Sequence, residues 1–444
     1  MNNVWLDINQ TQNENKFFVP LLLLVCTIVF PLGINNVALG LLMLFVLFYR
    51  KTLYFKKSYA LIIPVVLFLW MGLSYGWSID KERTIKALPK EISLLLIPMI
   101  FLFIPELSSK IKKKIIKGYS YSIVFIALFF VLRAVFRYFT TNQSSVFFYH
   151  GDYNDDFGFV PKSLNAIYFS VFVSVAYFVI LTKEIKNTTD RIILIFLSFV
   201  LLLLSSKNIL VIFILLNLIY FFFFSRVSHK MRLRNIVIVV LFIIGLFSFS
   251  NIKDRFLVEF QSNTDTSLNS NVVKEIPNGV HYVSIYEAWN NEIFTPNDFF
   301  PGTAFRIYQV RLFFDFLKEE SIFWKGFGLN ASFNKLEEKG YHYNVFLGDN
   351  FHQGYQKKNF HNQYIQNFAE LGIIGFILLV TMLIFSSYKM VITKDFVHIA
   401  FTVLMISLFL TESFLWRQRG VVFFTIFYSL FVVSKQQKKS WREY

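Results

Sequence analysis

The chain has 444 residues, of which 55% are hydrophobic and 16% charged, and its mean hydropathy is +0.52. A soluble domain carries roughly a quarter charged residues, so the composition excludes an ordinary soluble globular protein and points to an all-α, polytopic membrane helix bundle. The formal charge of +16 would suggest nucleic acid in a soluble chain, but in a membrane chain it is first a matter of loop orientation.

Residues 1–16 are polar, with no basic patch before the first apolar run and no small-residue cleavage site after it, so that run is expected to stay in the protein. Cys26, the single cysteine, lies inside the same run, which leaves no disulfide framework and no thiolate metal site. A membrane helix needs about 20 mostly apolar residues. Runs at 17–34, 35–49, 58–77, 88–104, 118–139, 163–182, 191–206, 208–225, 235–250, 364–387, 396–414 and 420–434 meet or approach that length. With the N-terminus inside, just over half of the 44 lysines and arginines fall on inner segments, among them Lys110, Lys112, Lys113, Lys114 and Lys117. About twelve spans with both termini cytoplasmic is therefore the predicted topology, and most of the positive excess follows from it. Membrane lipids are the implied surroundings and nucleic acid is not an expected partner.

This divides the chain into 1–250 with nine spans, an outer segment 251–363, and 364–444 with three spans and a cytoplasmic tail. The outer segment carries eleven Lys/Arg against thirteen Asp/Glu, and a structureless loop of that length would be unusual. Ile307, Val310, Phe314 and Leu317 recur at helical spacing, which predicts an amphipathic helix over 304–320 lying on the membrane surface or on the bundle. Of the 57 phenylalanines, many are expected on lipid-facing spans. Those at Phe299, Phe300, Phe305, Phe313 and Phe314 are expected to cover a lipid chain or a sugar. The acidic stretch His150–Asp156 either covers a site, binds a cation, or is simply solvated.

The chemistry-bearing residues gather on the predicted outer side. His361-Asn362-Gln363-Tyr364 opens the tenth span. There the helix dipole favours a neutral, proton-accepting imidazole and attracts phosphate oxygens; an interfacial histidine can also be only a headgroup-level anchor. Glu370 lies about two turns further in, and an intramembrane carboxylate is a functional candidate that would pair with Lys207 or Arg306 or orient His361. Gly372 and Gly375 remove bulk one turn apart and would admit a neighbouring helix. Arg306 opens a stretch that runs to Trp324-Lys325-Gly326-Phe327-Gly328-Leu329-Asn330, and Ser205-Ser206-Lys207-Asn208 separates spans seven and eight. Arg306 would bind phosphate or snorkel to headgroups. Lys207 would supply a cation to an anionic substrate or cap a helix C-terminus. Arg417 and Arg419, beside Glu412, are outer cations kept against the positive-inside trend.

The pattern H-N-Q-x9-G-x-x-G, from His361 to Gly375, resembles the signature of the bacterial O-antigen ligase and O-antigen polymerase superfamily. The arginine-led stretch from Arg306 to the Gly326-x-Gly328 turn is similar to a second block of that family. Ser205-Ser206-Lys207-Asn208 falls where family members commonly carry Ser-Arg-Gly, and departs from it at two positions. The sharp matches lie within about 160–210 and 302–376. The resemblance implies an integral membrane glycosyltransferase of the bacterial inner membrane, active on the periplasmic face, with an undecaprenyl-diphosphate-linked glycan as donor. The acceptor it implies is lipid A core, as in a ligase, or a second lipid-linked glycan, as in a polymerase; protein O-glycosylation is a third form of the same plan. It casts His361 as the base and Arg306 as the phosphate ligand. Substrate contacts are then expected from Lys207, Arg311, Asn362, Gln363, Tyr364, Glu370, Arg417 and Arg419. The chain has no Asp-x-Asp and no clustered His/carboxylate set, so neither a metal nor a cofactor is expected. A lipid-glycan flippase or transporter fits a twelve-span plan as well, but such proteins place paired broken helices near the midplane, whereas the polar residues here collect at one interface.

Overall fold

The computed structural model describes residues 2–150, 158–225, 280–349 and 352–433, together with single positions between 230 and 244. All but single positions of the predicted span at 235–250, most of the His150–Asp156 stretch and the tail beyond 433 lie outside the described residues. Apart from the two-residue strands His281–Tyr282 and Asp298–Phe299, which pair in parallel, the regular structure of the described residues is helical. Four helical stretches are long and apolar enough to cross a membrane: Tyr59–Gly76, Ser109–Thr141, Lys207–Phe224 and Gln363–Thr393. Four shorter apolar helices accompany them, Leu32–Phe48, Ala166–Leu181, Phe396–Phe409 and Gln418–Val432. Together these make a multi-pass helical bundle.

Its element boundaries follow local chemistry. The run predicted as 17–34 breaks into Phe18–Cys26 and a helix that begins only at Leu32, because Pro31 is pre-set for a helix start and cannot continue one. Thr188–Leu204 opens with a reciprocal capping box between Asn187 and Asp190. The run predicted as 88–104 is two helices. Lys81–Glu91 is amphipathic, with the Asp80 carboxylate accepting from Arg83 N at 3.0 Å, and Ser93–Phe103 is the apolar one.

Two apolar cores result. The bundle core is filled by aromatic rings, with Phe172, Phe401, Phe423 and Phe427 fully buried and centroids at 4.6 Å for Phe172 and Phe423 and 4.8 Å for Phe423 and Phe427. Much of the phenylalanine excess therefore packs inside, although Phe125, Phe129, Phe136 and Phe139 do line an exposed stripe of Ser109–Thr141. A second core holds the outer segment together. Phe294, Phe300, Phe305, Tyr308 and Phe316 are buried in it, so Phe300, Phe305 and Phe313 serve packing rather than a lipid or sugar surface. The predicted amphipathic helix is present as Gly302–Glu319. Its buried face carries Phe305, Tyr308, Leu312 and Phe316 and packs into this second core, while Phe314 of the predicted stripe is exposed.

The outer segment is fastened to the bundle at a break in the Gln363–Thr393 helix. Gly372 has φ +67° and ψ −170° and interrupts the helix. The chain at 323–328 passes through the gap: Ile373 N donates to Phe323 O, Phe327 N to Ala369 O and Gly328 N to Glu370 O, each at 2.8 Å. A Cβ on Gly372 would stand 2.2 Å from Trp324 O, and one on Gly326 2.3 Å from the Glu370 carbonyl carbon. The glycines thus admit the irregular backbone of 323–328 rather than a neighbouring helix; a Cβ at Gly375 would meet Leu371 of its own helix. A left-handed alanine wedged against backbone costs about 1–3 kcal/mol. Gly372→Ala is expected to lower the thermal midpoint in detergent, whereas Gly40→Ala, with nothing within 4 Å of the added methyl, is expected to leave it unchanged or raise it.

Candidate functional site

The short connection between Phe396–Phe409 and Gln418–Val432 gathers the predicted site residues. Thr411 is the first meeting point. Its carbonyl accepts from Arg306 Nε at 3.1 Å, and its hydroxyl accepts from Asn208 Nδ2 at 2.7 Å. Asn208 is held in addition by Ser407, donating to its carbonyl at 3.1 Å and accepting from its hydroxyl at 2.8 Å. The block around residues 205–208 and the arginine helix are in this way tied to one turn. Lys207 is the first residue of the Lys207–Ile219 helix, just after Ser205 closes the preceding helix in the left-handed conformation.

Glu412 is the second meeting point. Its side chain is 8% exposed, and its Oε2 lies 3.3 Å from His361 Nδ1. In the neutral imidazole, Nδ1–H donating to the carboxylate would leave the lone pair on Nε2. His361 precedes the helix cap at φ +46°, its N–H held by Asn359 Oδ1 at 3.1 Å. The Phe305 ring packs edge-on at 5.7 Å. Burial pushes the Glu412 carboxyl up, but the charge and hydrogen bond of His361, followed by the charges of Arg306 and Arg417, outweigh it and leave the carboxyl below the ordinary glutamate value.

Arg306 donates through Nη1 to Gly302 O at 2.9 Å, so Nε and Nη1 fix its plane and Nη2 remains for an anion. Arg417 donates to Lys162 O at 3.4 Å and lies over the Tyr168 ring at 5.7 Å. The structure thus brings Arg306, His361 and Arg417 together around Glu412.

Other predicted residues have structural partners. Asn362 caps the Gln363–Thr393 helix, accepting from Tyr364 N and Ile365 N, and donates to Leu410 O at 3.3 Å. Gln363 accepts from Leu415 N at 2.7 Å, and Tyr364 OH donates to Ile406 O at 3.1 Å. These three side chains hold the 406–415 connection against the start of the broken helix. Glu370 does not orient His361 and pairs with neither Lys207 nor Arg306. It accepts from Ser332 Oγ at 3.0 Å and from Gln366 Nε2. Arg311 donates to Asn291 O at 2.5 Å and covers the Tyr343 ring at 4.6 Å, within the outer core. Burial and its hydrogen bond to Asp315 push the Tyr343 phenol up to about 12. Arg419 turns into the bundle, where Nη2 donates to Phe30 O at 3.1 Å. Among the described residues no three His, Cys, Asp or Glu side chains lie together as metal ligands.

Residues 192–380 match the O-antigen ligase family model. No curated protein matches the chain. The matched segment contains the Lys207, Arg306, Gly326 and His361 blocks from which the resemblance was stated, while the connection carrying Thr411 and Glu412 lies beyond it. Glu412 as the partner of His361 was missed by sequence reasoning; its one signal was an acid kept beside two arginines between apolar helices. Thr411 offered none, and Asn208 stood in the 205–208 block only as a departure from the family's glycine.

A depressed carboxylate contributes stability that is complete above its unfolded value and is lost as pH falls through its folded value. Wild type and Glu412→Gln should therefore differ in thermal midpoint above the ordinary glutamate value of 4.5 and converge on acidification below it. Melting curves in one detergent across that range measure it.

Proposed function

We propose that this protein is an integral membrane glycosyltransferase that moves a glycan from undecaprenyl diphosphate onto an acceptor hydroxyl at the periplasmic face, with ligation of O-antigen to lipid A core as the leading reaction. The O-antigen ligase model matched by residues 192–380 supports the class, whose members are ligases and polymerases. The observation that carries the reading is that Arg306 and His361 are held on consecutive residues, Thr411 and Glu412, of one turn.

In this reaction the acceptor oxygen attacks the anomeric carbon and the bond from that carbon to the phosphate oxygen breaks, with inversion as the family resemblance implies. His361 Nε2 takes the acceptor proton, and Glu412 stabilises the imidazolium that forms. The departing diphosphate gains negative charge, which Arg306 meets through its remaining donors. Lys207 and Arg417 add positive charge on the same side, without divalent metal. Twelve spans with both termini cytoplasmic would put all four residues on the outer face.

Polymerisation, with a second lipid-linked repeat unit as acceptor, uses the same residues and is the alternative. A flippase or transporter is favoured by no comparable observation, since the polar groups meet at one end of the bundle.

Deleting the gene separates the readings on a gel of surface polysaccharide. Long chains stranded on undecaprenyl diphosphate indicate a ligase, lipid A bearing one repeat unit indicates a polymerase, and an unchanged ladder counts against both. With purified protein, His361→Ala and Arg306→Ala are each expected to lower turnover by about 10²–10⁴ while inserting normally. Lys207→Ala should cost less and Lys207→Arg should be tolerated; wild-type turnover in the His361 or Arg306 variant removes that residue from the mechanism.

A further inference from the structure

The outer segment exposes an apolar face that its own core does not cover. On the short Ile285–Asn290 helix, Ile285, Tyr286 and Trp289 are exposed, Tyr286 by 75%, and Ile293 follows at 67%. The one carboxylate of that helix is turned away from this face: Glu287 accepts from Ser284 N at 2.7 Å and pairs with His281 at 3.1 Å. A chain of aromatic contacts, passing beneath the surface at the buried Phe313, leads from this face to the broken helix. Trp289 meets Phe314 at 6.0 Å, Phe314 meets Phe313 at 5.8 Å, and Phe313 meets Phe368 at 5.2 Å. Phe368 also touches Phe323, which packs on the exposed Trp324, and reaches Phe376 on the broken helix. That helix is long and apolar enough to span a membrane and exposes Ile374, Ile377 and Ile384.

We propose that this face lies in the outer leaflet, so that the outer segment rests on the bilayer instead of standing clear of it. The occupant is a lipid surface, because the exposed Phe323 and Trp324 adjoin a spanning helix, Phe323 O accepting from Ile373 N at 2.8 Å next to the exposed Ile374. Its aromatic groups are of the kind that sit at headgroup level. Lys325, exposed beside Trp324 and with its Nζ 5.7 Å from the Trp77 ring, has the amphipathic reach to meet lipid phosphates from that depth. Because 323–328 is stitched to the helix break and Gly302–Glu319 carries Arg306, this contact would fix the height of Arg306 and His361 above the acyl chains. It adds to the proposed glycosyl transfer and rests only on the multi-pass reading.

The single cysteine makes the test direct. On a Cys26→Ser background in lipid nanodiscs, a nitroxide is placed in turn at Tyr286→Cys, Trp289→Cys and Trp324→Cys. Ile377→Cys serves as the span control and Glu338→Cys as the water control. Collision with oxygen and with a water-soluble nickel chelate is then measured by electron paramagnetic resonance. The expected result is oxygen-dominated relaxation at 286, 289 and 324, intermediate between the two controls. Chelate-dominated relaxation matching Glu338→Cys at 286 and 289, with Ile377→Cys still reporting lipid, overturns the proposal while leaving the membrane fold intact. Spin–spin broadening at 286 that disappears on dilution with unlabelled protein overturns it too, by assigning the face to a second copy of the chain.

Discussion

The buried carboxylate of Glu412 is the constraint on which the outer end of the bundle depends. Removing a carboxylate from water costs several kcal/mol unless charge and hydrogen bonds compensate. Its compensation comes from three parts of the chain: the segment before the broken helix supplies His361, the outer helix supplies Arg306, and the connection itself supplies Arg417. Without that negative charge the same cations would face one another. Electrostatics and architecture therefore cannot be separated here, because each element that approaches Glu412 also balances it.

The outer segment is held at two levels by different kinds of bond. At Gly372 the bonds are main chain to main chain and ask only that Gly326 and Gly372 lack side chains. Nearer the surface they are side-chain bonds from Asn362, Gln363 and Tyr364 to the 406–415 connection. Between the two levels lies a polar seam: Ser413 Oγ donates to Gln366 Oε1 at 3.2 Å, and Gln366 and Ser332 both donate to Glu370. A polar network buried among apolar helices is stable only when its members are satisfied, and this one links the outer core, the broken helix and the Glu412 connection. Two levels of attachment resist tilting of the outer segment, which a single hinge would permit, and so keep Arg306 and His361 in register.

Much of this was legible in the sequence, for reasons that also explain what was not. Apolar runs report helices because the surroundings are apolar on every side, so the positions of most apolar helices were readable from the runs. The Lys81–Glu91 helix was not, since Pro89 and its charges obscure the periodicity and its apolar face is narrow. Hydropathy also cannot see the break at Gly372: the run stays apolar across it, and glycines one turn apart look the same whether a helix or a loop approaches. His361 and Arg306 were found because they stand in recognisable local blocks. The pairing of His361 with Glu412 joins residues 51 apart in sequence, and only the return of the chain after Phe396–Phe409 brings them together.

The charge balance of the cluster bears on what it can accommodate. With His361 neutral, Arg306, Arg417 and Glu412 sum to one positive charge, which attracts an anion without leaving Glu412 unpaired. A proton taken up by His361 raises the sum to two. In the proposed reaction that rise coincides with the negative charge developing on the departing diphosphate, so the positive field grows as the leaving group comes to need it. A cluster in which Glu412 were neutral would carry the same extra charge before substrate arrived, and would bind the donor more tightly than the transition state requires. In that reaction the buried acid would hold the histidine and keep the cluster one charge less positive than its cations alone would make it.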